Sequence, residues 1–357
     1  MGLVKFGDYV KEVKINIDRN NNPYEYYVAG DHMDSEDLTI RRKGLFATDD
    51  VGPAFTRLFK PGQILYGSRR TYLKKVAVAD FEGICSNTTF VLETKDENKL
   101  RQRLLPFIML TDDFTKWSIS KSKGSTNPYI LFSDLANYEF ELPDINKQDE
   151  LVKLLWQAYA TKESYREMIR ATDEMVKSQF IEMFGDPITN SKECVVKKGY
   201  ELFAFSSGKA NTRANLNDSY KYDCYGGNGT TGKSKEYLID YSTLVIGRVG
   251  EYCGSVHCTP TYSWITDNAI YIKEFNDKDL DINYLYYLFL FLDLHRFSAK
   301  TGQPKITQEA LLGIDYICPG IEEQEKYVTF AHQADKSKFE LKQAIEKIDK
   351  VMRALMQ

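Results

Sequence analysis

Apolar residues recur at alternating spacings of three and four residues in two stretches of the chain, 155–179 and 331–355. Gly and Pro are absent from 147–184 and from 322–357. This spacing is typical of a coiled-coil seam, so the pattern predicts two helices of about 35 residues, each on the order of 50 Å long. Either helix alone would expose its apolar stripe. We therefore expect the two helices to pair with each other.

The two stretches belong to an internal repeat with an offset of 176 residues. The same offset relates Pro128 to Pro304, Pro143 to Pro319, Ile145 to Ile321 and Gln148 to Gln324. It also places Lys162 and Lys338 at the same seam position, where a lysine is expected to tune helix pairing or partner docking. The chain is thus expected to contain two related structural units.

The segments before the seams resemble each other at an offset of about 180 residues and are rich in β-branched and aromatic residues. Such runs, broken by Gly and polar turns, predict strands, whereas the patterns near 98–117 and 281–297 are helical. The predicted class is α+β, with two tandem repeats that each consist of a strand-rich globule and a long helix. The predicted domains are the globules 1–146 and 187–321 and the helices 147–186 and 322–357.

Several motifs in combination carry a resemblance to a known family. They are the LPxIxxQ-like helix entries at 142–148 and 318–324, FIEMFGDPITN at 180–190, YGGNGTTG at 225–232, LVIGRVGEYCGSVH at 244–257, and the segments GSTNP and TGQP. Together with the duplicated plan, they make the chain resemble the specificity (S) subunit of type I restriction-modification systems. Each motif is short, and the combination covers nearly the whole chain.

The resemblance implies that each globule is a target recognition domain, which recognises one half of a bipartite, asymmetric site on double-stranded DNA. The helices would form an antiparallel coiled coil that sets the half-site spacing and docks two methyltransferase (M) subunits, with restriction (R) subunits as further partners. The chain itself would be non-catalytic, without a metal or cofactor, and S-adenosylmethionine would belong to the M subunits. The expected location is the cytoplasm of a bacterium or archaeon.

Basic and amide side chains near the repeated loops are the expected DNA-binding residues, since lysine and arginine contact phosphates while Arg, Asn and Gln recognise base edges. In the first globule they are Arg69, Arg70, Lys121, Lys123 and Asn127. In the second they are Lys209, Arg213, Asn228, Lys233, Arg248, Lys300, Gln303 and Lys305.

Composition changes the expectation about affinity. The chain is 43% apolar and 27% charged, as globular proteins are, and its net charge is −4. Residues 1–146 carry 20 basic and 21 acidic residues, and 187–321 carry 14 and 15. Neither globule is basic as a whole, so a DNA-binding face requires basic residues to cluster on one side of each globule, and partner subunits are expected to add phosphate contacts.

The location of the chain is also constrained by its sequence. The six cysteines form no CxxC pair, no run is long enough for a membrane span and no secretory signal is present, which favours a reduced, cytoplasmic setting.

Two alternatives belong to other functional classes. Residues 227–234 fit the P-loop pattern G-x-x-x-x-G-K-[ST], which would make the chain an NTP-dependent enzyme, but that mechanism needs a helix directly after the loop. The chain could also be a coiled-coil scaffold with two carbohydrate- or protein-binding globules.

Two further motifs are incomplete. A metal site would have three ligands, Cys253, His257 and Cys258, without a clear fourth. The amino-methyltransferase motif would need a second Pro that Asn127-Pro128-Tyr129 lacks, so neither metal binding nor methyltransferase chemistry is expected.

Overall fold

The structure is a computed structural model that describes residues 2–18, 21–299 and 302–356. It divides into two compact units. The first unit comprises Met1–Tyr165 with Gln343–Gln357, and the second comprises Arg166–Lys342. Each unit therefore contains one globule together with one segment of each long helix.

In the first unit, two four-stranded sheets, one two-stranded sheet and several short helices make up the globule. Its strands are β1 (Gly2–Lys5), β2 (Val10–Glu12), β3 (Tyr26–Val28), β4 (Gly44–Leu45), β5 (Phe55–Phe59), β6 (Ile64–Gly67), β7 (Val76–Val78), β8 (Gly83–Ser86), β9 (Thr89–Thr94) and β10 (Glu139–Leu142). Its helices are α1 (Phe6–Tyr9), α2 (Leu105–Leu110), α3 (Asp112–Ser120) and α4 (Phe132–Leu135), with a 3₁₀ turn at Thr71–Leu73. The strand orders are β2-β9-β6-β7 and β4-β3-β8-β5, and β1 pairs with β10.

The central strand β6 is buried on both faces. Ile64 and Tyr66 belong to a core shared with the helices, whereas Leu65 belongs to a core shared with the second sheet. Because successive side chains of a strand point to opposite faces, the sheet β2-β9-β6-β7 is covered by helices on one face and by strands on the other. A run of apolar residues without alternation is what such a strand requires.

A long helix, α5 (Ile145–Phe184), leads from the first unit into the second. The second globule then has the strands β11 (Val196–Lys198), β12 (Phe203–Ser207), β13 (Tyr222–Gly226), β14 (Gly229–Ser234), β15 (Leu244–Gly247), β16 (Val256–Cys258), β17 (Trp264–Ile265), β18 (Ala269–Phe275) and β19 (Asp315–Ile317). Its helices are α6 (Gly199–Leu202), α7 (Ile282–Leu292) and α8 (Gln308–Leu312), with 3₁₀ turns at Arg213–Asn215 and Leu294–Phe297. The second long helix, α9 (Ile321–Leu355), follows.

The second globule repeats the plan of the first. Its sheet β12-β18-β15-β16 corresponds to β2-β9-β6-β7, and the parallel pair of β13 with β17 corresponds to the parallel pair of β3 with β8. Leu244 and Ile246 of β15 face one core and Val245 faces another, as in β6. The two predicted tandem repeats, each with a strand-rich globule and a long helix, are confirmed.

The long helices run antiparallel in each unit. In the second unit, Tyr327 Oη donates to Val176 O (3.2 Å) and Lys338 Nζ donates to Asp173 Oδ1 (2.6 Å), so numbers rise along α5 as they fall along α9. In the first unit, Lys162 Nζ donates to Asp349 Oδ1 (2.6 Å). The predicted seam positions, which recur at alternating spacings of three and four residues in 155–179 and 331–355, are all buried or half-buried. A paired amphipathic helix requires this.

A buried glutamine attaches each long helix to its globule. Gln148 donates to Pro143 O (2.9 Å) and Lys99 O (3.0 Å), and its Oε1 accepts from Arg101 N (2.9 Å). Gln324 makes the same set of bonds, with Pro319 O (2.8 Å), Asp279 O (2.9 Å) and Asp281 N (2.9 Å). The final residue of the LPxIxxQ-like motif is therefore a structural anchor, because its amide satisfies backbone groups just before the helical segments that follow β9 and β18.

The most apolar run of the sequence, 284–292, lies within α7 and packs into the core of the second unit. No helix among the described residues has both the length and the hydropathy that a bilayer crossing requires.

Candidate nucleic-acid interface

Three loops meet at the end of the central strand in the first unit. They are the loop after β6, the turn before β9 and the loop between α3 and α4. Arg70 N donates to Pro128 O (2.7 Å), Ile130 N donates to Ser68 O (2.9 Å), and Ser68 N donates to Thr88 O (3.2 Å). We call residues 68–71, 87–88 and 121–130 loop cluster 1.

The second unit builds the same arrangement from the corresponding segments. Gly250 N donates to Pro304 O (3.0 Å), Ile306 N donates to Arg248 O (2.9 Å), and Arg248 N donates to Asn268 O (2.9 Å). We call residues 248–251, 267–268, 298–299 and 302–306 loop cluster 2. Each of these three backbone bonds thus has a counterpart in the other cluster, so the GSTNP and TGQP segments occupy equivalent places.

Loop cluster 1 presents Arg69, Arg70 and Asn127 as exposed side chains. Arg70 Nε donates to Asn127 Oδ1 (3.2 Å), which brings these two predicted residues together. A guanidinium has five N–H donors in a planar fork, so this contact uses one of them. The arrangement presents a cation and an amide side by side, and both groups can form bidentate hydrogen bonds with base edges.

The two lysines of loop cluster 1 have intramolecular partners. Lys121 Nζ lies 4.7 Å from the centroid of the Trp117 ring, and Lys123 Nζ lies 2.9 Å from Asp134 Oδ2. Both lysines are exposed, so these contacts are weak and can exchange for a phosphate. Because Asp134 offsets its charge, Lys123 is the weaker of the two candidates.

In loop cluster 2, Gln303 and Lys305 are exposed and Arg248 is half-buried. Gly250 has a φ of +78°, and a Cβ placed on it would lie 3.4 Å from Gln303 Nε2. The side chain of Gln303 therefore lies close to a glycine whose left-handed backbone conformation disfavours most other residues. Lys300, also predicted here, lies outside the described residues.

The tip of the β13–β14 hairpin adjoins loop cluster 2. A Cβ placed on Gly227 would lie 3.5 Å from Asn268 O, and Ser255 Oγ donates to Gly227 O. Asn228, the next residue of the tip, is exposed. The structure thus brings the predicted residue Asn228 beside the cluster that contains Arg248.

The P-loop alternative for residues 227–234 is not supported, because only residues 227 and 228 form a turn. Residues 229–234 form strand β14, in which Lys233 pairs with Asp223 of β13, and residues 235–243, all described, contain no helix. A P-loop holds phosphates with the amides of a loop and of the following helix. Neither element exists here, so the pattern has no phosphate-binding geometry.

Lys209, Arg213 and Lys233 are exposed but are not part of loop cluster 2 as defined. Lys209 N donates to Ile265 O (2.9 Å), and Asn217 N, which follows the 3₁₀ turn of Arg213, donates to Lys233 O (3.0 Å). The structure therefore places Arg213 and Lys233 on neighbouring segments along β14.

The Cys253–Cys258 segment does not converge on one point. Cys253 is buried and its Sγ donates to Arg248 O (3.4 Å), and burial raises the pKa of its thiol. His257 and Cys258 are successive residues of β16 and point to opposite faces of the sheet. The described residues contain no cluster of three or more side chains suited to hold a metal ion.

The sequence interpretation missed the turn residues Asn87 and Asn268, whose exposed amides belong to the two clusters. The repeat contained the signal, because Ser86-Asn87-Thr88 and Thr266-Asp267-Asn268 precede equivalent strands, β9 and β18. In the sequence, these turns look like ordinary strand connections. Only the structure shows that Thr88 and Asn268 accept backbone hydrogen bonds from the loops after β6 and β15.

Comparison with known proteins agrees with the duplicated structure. The family model described as "Type I restriction modification DNA specificity domain" matches residues 11–169 and 191–350, one match for each repeat. The specificity subunit of the type I restriction enzyme EcoprrI from Escherichia coli is 26% identical over 185 residues, which are 50% of this chain and 45% of that protein. The EcoDI specificity subunit, also from Escherichia coli, is 30% identical over 111 residues, which are 31% of this chain and 24% of that protein. The alignments thus span less than half the length of these curated relatives.

Two solved structures share the fold. The S subunit of a type I restriction-modification system from M. genitalium superposes with a TM-score of 0.59 at 15% identity, over 99% of this chain and 94% of that one. A chain from a study of complex assembly and conformational transition in a type I system superposes with a TM-score of 0.51 at 17% identity, over 99% and 96%. The family model covers most of the sequence and these structures share its architecture. The chain therefore belongs to the type I restriction-modification DNA specificity domain family, and it carries that domain twice.

Proposed function

We propose that the chain is the DNA sequence-specificity subunit of a type I restriction-modification enzyme, in which loop clusters 1 and 2 each recognise one half of a bipartite, asymmetric site. The observation that carries this proposal is that the same backbone bonds build both clusters, while the exposed side chains differ. Arg70 corresponds to Gly250, and Asn127 corresponds to Gln303. One scaffold with two sets of side chains suits two different half-sites.

The exposed groups suggest a division of roles. Asn127 and Gln303 can form two bonds with adenine, and Arg69 and Arg248 can do so with guanine. The lysines of the two clusters, with Lys209, Arg213 and Lys233 near β14, would contact phosphates and fix the position of each globule. Asn228 at the hairpin tip is a further candidate for base contact.

The long helices would set the spacing of the half-sites and dock two M subunits. α5 has 40 residues and is therefore about 60 Å long. This helix length exceeds about 34–36 Å, the distance between two half-sites that lie one turn of DNA apart. In this scheme S-adenosylmethionine and all catalysis belong to the partners, with R subunits as further partners. Since neither globule is basic as a whole, partner subunits would supply part of the phosphate contacts.

The test is a methylation assay with the chain assembled with its M subunits. Sequencing of methylated DNA defines the site of the parent complex. Asn127→Ala should relax one half-site and Gln303→Ala the other, by about 1–3 kcal/mol of discrimination each. Lys116→Ala is the matched control, because Lys116 is an exposed cation of α3 that pairs with Asp113 outside the clusters. The proposal would be wrong if exchanging residues 1–146 for those of another family member changed neither half-site.

A further inference from the structure

A turn at residues 29–32 of the first unit lies outside loop cluster 1 as defined. His32 N donates to Ala29 O (3.1 Å), and Ala29 N donates to His32 Nδ1 (3.2 Å), so two hydrogen bonds close the turn. Gly30 and Asp31 are its central residues, and both are exposed. A closed turn of four residues holds its central pair in a defined position at the surface.

The turn has the same place in its sheet as the β13–β14 hairpin tip has in the second unit. Strand β3 leads into the turn and runs parallel to β8, with Tyr27 opposite Ile84. Strand β13 leads into the hairpin tip and runs parallel to β17, with Cys224 opposite Trp264. Ile84 and Trp264 are equivalent at the offset of 180, so Tyr27 and Cys224 are equivalent too.

An equivalent contact anchors both turns. Lys75 Nζ donates to Gly30 O, and Ser255 Oγ donates to Gly227 O. Lys75 and Ser255 are equivalent at the offset of 180, and the carbonyl group of each accepts from the last residue of the central strand, β6 or β15 (3.0 and 2.8 Å). Loop clusters 1 and 2 begin directly after those strands. Each turn therefore adjoins the loop cluster of its own unit.

Asp31 is the counterpart of Asn228 in this arrangement. Asp31 follows Tyr27 by four residues, as Asn228 follows Cys224, and both side chains are exposed. Among the described residues, none donates a hydrogen bond to the carboxylate of Asp31. Arg42 Nη2 instead donates to the backbone carbonyl of Asp31 (2.6 Å), which fixes the turn and leaves the carboxylate available.

Two cations at the turn offset its acidic charge. Arg42 pairs with Asp34 Oδ1 (2.5 Å) as well as with the carbonyl of Asp31, and Lys75 bonds to the carbonyl of Gly30. The charges of these two cations and of the two aspartates sum to zero. The turn as a whole is therefore not repelled by DNA phosphates, although it carries an exposed carboxylate.

We propose that Asp31 determines specificity in the half-site recognised by residues 1–146, a role that rests on the proposed function, by accepting a hydrogen bond from the N4 amino group of a cytosine in the major groove. A carboxylate only accepts hydrogen bonds, so it cannot bind a phosphate, whereas cytosine offers an amino donor on its major-groove edge. Adenine places the N7 acceptor beside its amino group, which suits the amide of Asn228 and repels a carboxylate. The two turns therefore favour different bases.

The test is a methylation assay with the full chain assembled with its M subunits, in which sequencing of methylated DNA gives the base preference at every position. Asp31→Ala should lower the preference for cytosine at one position of the half-site recognised by residues 1–146, by about fivefold or more. Asp31→Asn should move the preference at that same position toward adenine, because an amide both donates and accepts. Asn228→Asp should move one position of the other half-site toward cytosine.

Asp80→Asn is the matched control, since it removes the same charge from the same globule. Asp80 is exposed and follows β7 at the end where Val78 pairs with Ile64, the first residue of β6, whereas the turn adjoins the last residue of β6. Asp80→Asn should keep the base preference of the parent at every position. Thermal unfolding of all variants should match that of the parent, which separates a lost base contact from a lost fold.

Three results would overturn the assignment of Asp31. They are a half-site of residues 1–146 without any G·C pair, Asp31 variants with the base preferences of the parent, and an equal fall of methylation on all sequences. In each of these cases the parent complex still methylates a bipartite site, so the proposed function stands. A parent complex that methylates no bipartite site contradicts the proposed function itself, and Asp31 then has no half-site to recognise.

Discussion

The ammonium group of Lys162 lies 2.6 Å from Oδ1 of Asp349, and this ion pair is the repeat counterpart of the one between Lys338 and Asp173, also 2.6 Å. An offset of 176 relates the two lysines and likewise the two aspartates. The duplication has therefore kept the contact across the antiparallel helices and not only the residue types. A polar residue at a seam position specifies the register of a helix pair, because any shift leaves it without its partner.

Replacement of Lys162 should destabilise the first unit. Lys162 is 5% exposed, and Lys162→Met would leave Asp349 without this partner, at an expected loss of about 1–3 kcal/mol in the free energy of unfolding. The double variant Lys162→Met/Asp349→Leu should recover most of the loss, since no charge is then left unpaired. Urea denaturation measures both. Lys338→Met is the comparison in the second unit and should also destabilise it, because Lys338 pairs with both Asp173 and Asp335. Equal stability of the parent and Lys162→Met would contradict the role in pairing.

Loss of a glutamine anchor should weaken the attachment of its helix. Gln148→Leu keeps the approximate size of the side chain but leaves Lys99 O and Arg101 N without these bonds, so we expect a loss of about 1–3 kcal/mol. Gln324→Leu should cost a similar amount in the second unit. Gln157→Leu is the control on the same helix as Gln148, because Gln157 is exposed, and it should change stability by less than about 0.5 kcal/mol. Similar losses in Gln157→Leu and Gln148→Leu would argue against an anchoring role.

The ion pair of Lys197 with Asp277 (2.5 Å) predicts a defined pH dependence of stability. The hydrogen bond that Lys197 donates to Asp277 lowers the pKa of the carboxyl group and raises the pKa of the lysine. A carboxyl group with a lowered pKa stabilises the fold at pH values above its unfolded pKa of about 3.9, and this stabilisation is lost as pH falls through the folded pKa. A lysine with a raised pKa stabilises the fold at pH values below its unfolded pKa of about 10.4, and this stabilisation is lost as pH rises through the folded pKa. The parent should therefore exceed Lys197→Met in stability between about pH 5 and 10, with the difference shrinking on both sides.

Thermal unfolding across pH measures this difference. The control is Lys278→Met, which changes an exposed lysine next to Asp277 and should lack the acid and alkaline limits. A difference between parent and Lys197→Met that stays constant down to pH 2 would show that the pair does not stabilise the fold through its charges.

Gly185, which ends α5, should tolerate alanine poorly. Its φ is +79°, and a Cβ there would lie 2.8 Å from Ser191 Oγ and 2.9 Å from Lys192 N. Gly62→Ala is the matched control, since Gly62 has a φ of +84° but open space around it. We expect Gly62→Ala to cost about 1–2 kcal/mol for the left-handed backbone and Gly185→Ala to cost more because of the close contacts. Chemical denaturation compares the two, and a smaller cost at Gly185 would contradict this explanation.

Much of the architecture could be predicted because it leaves a periodic signal. The 3–4 spacing of apolar residues around Leu155 and Ala331 predicted both long helices, and the buried side of each helix in the structure contains those positions. The loop segments that contain Asn127 and Gln303 were also predicted as equivalent, from the shared proline that follows each of them.

The hairpin at 222–234 was predicted less well, for a physical reason. Its glycines matched a loop pattern, yet Lys233 pairs with Asp223 and residues 229–234 extend a strand. The partner of a strand lies elsewhere in the chain, so local composition does not determine whether a Gly-rich segment is a loop or one side of a ladder.

The sequence alone determined that this protein is duplicated, that each globule precedes a long amphipathic helix, and that the candidate contacts lie in corresponding loops, because periodicity and repeat offset are properties of linear order. Only the tertiary structure decided that Arg70 meets Asn127 and that Gln148 satisfies two distant backbone groups. Those features depend on how distant segments close around a core, where one side chain's volume or one hydrogen bond decides the outcome.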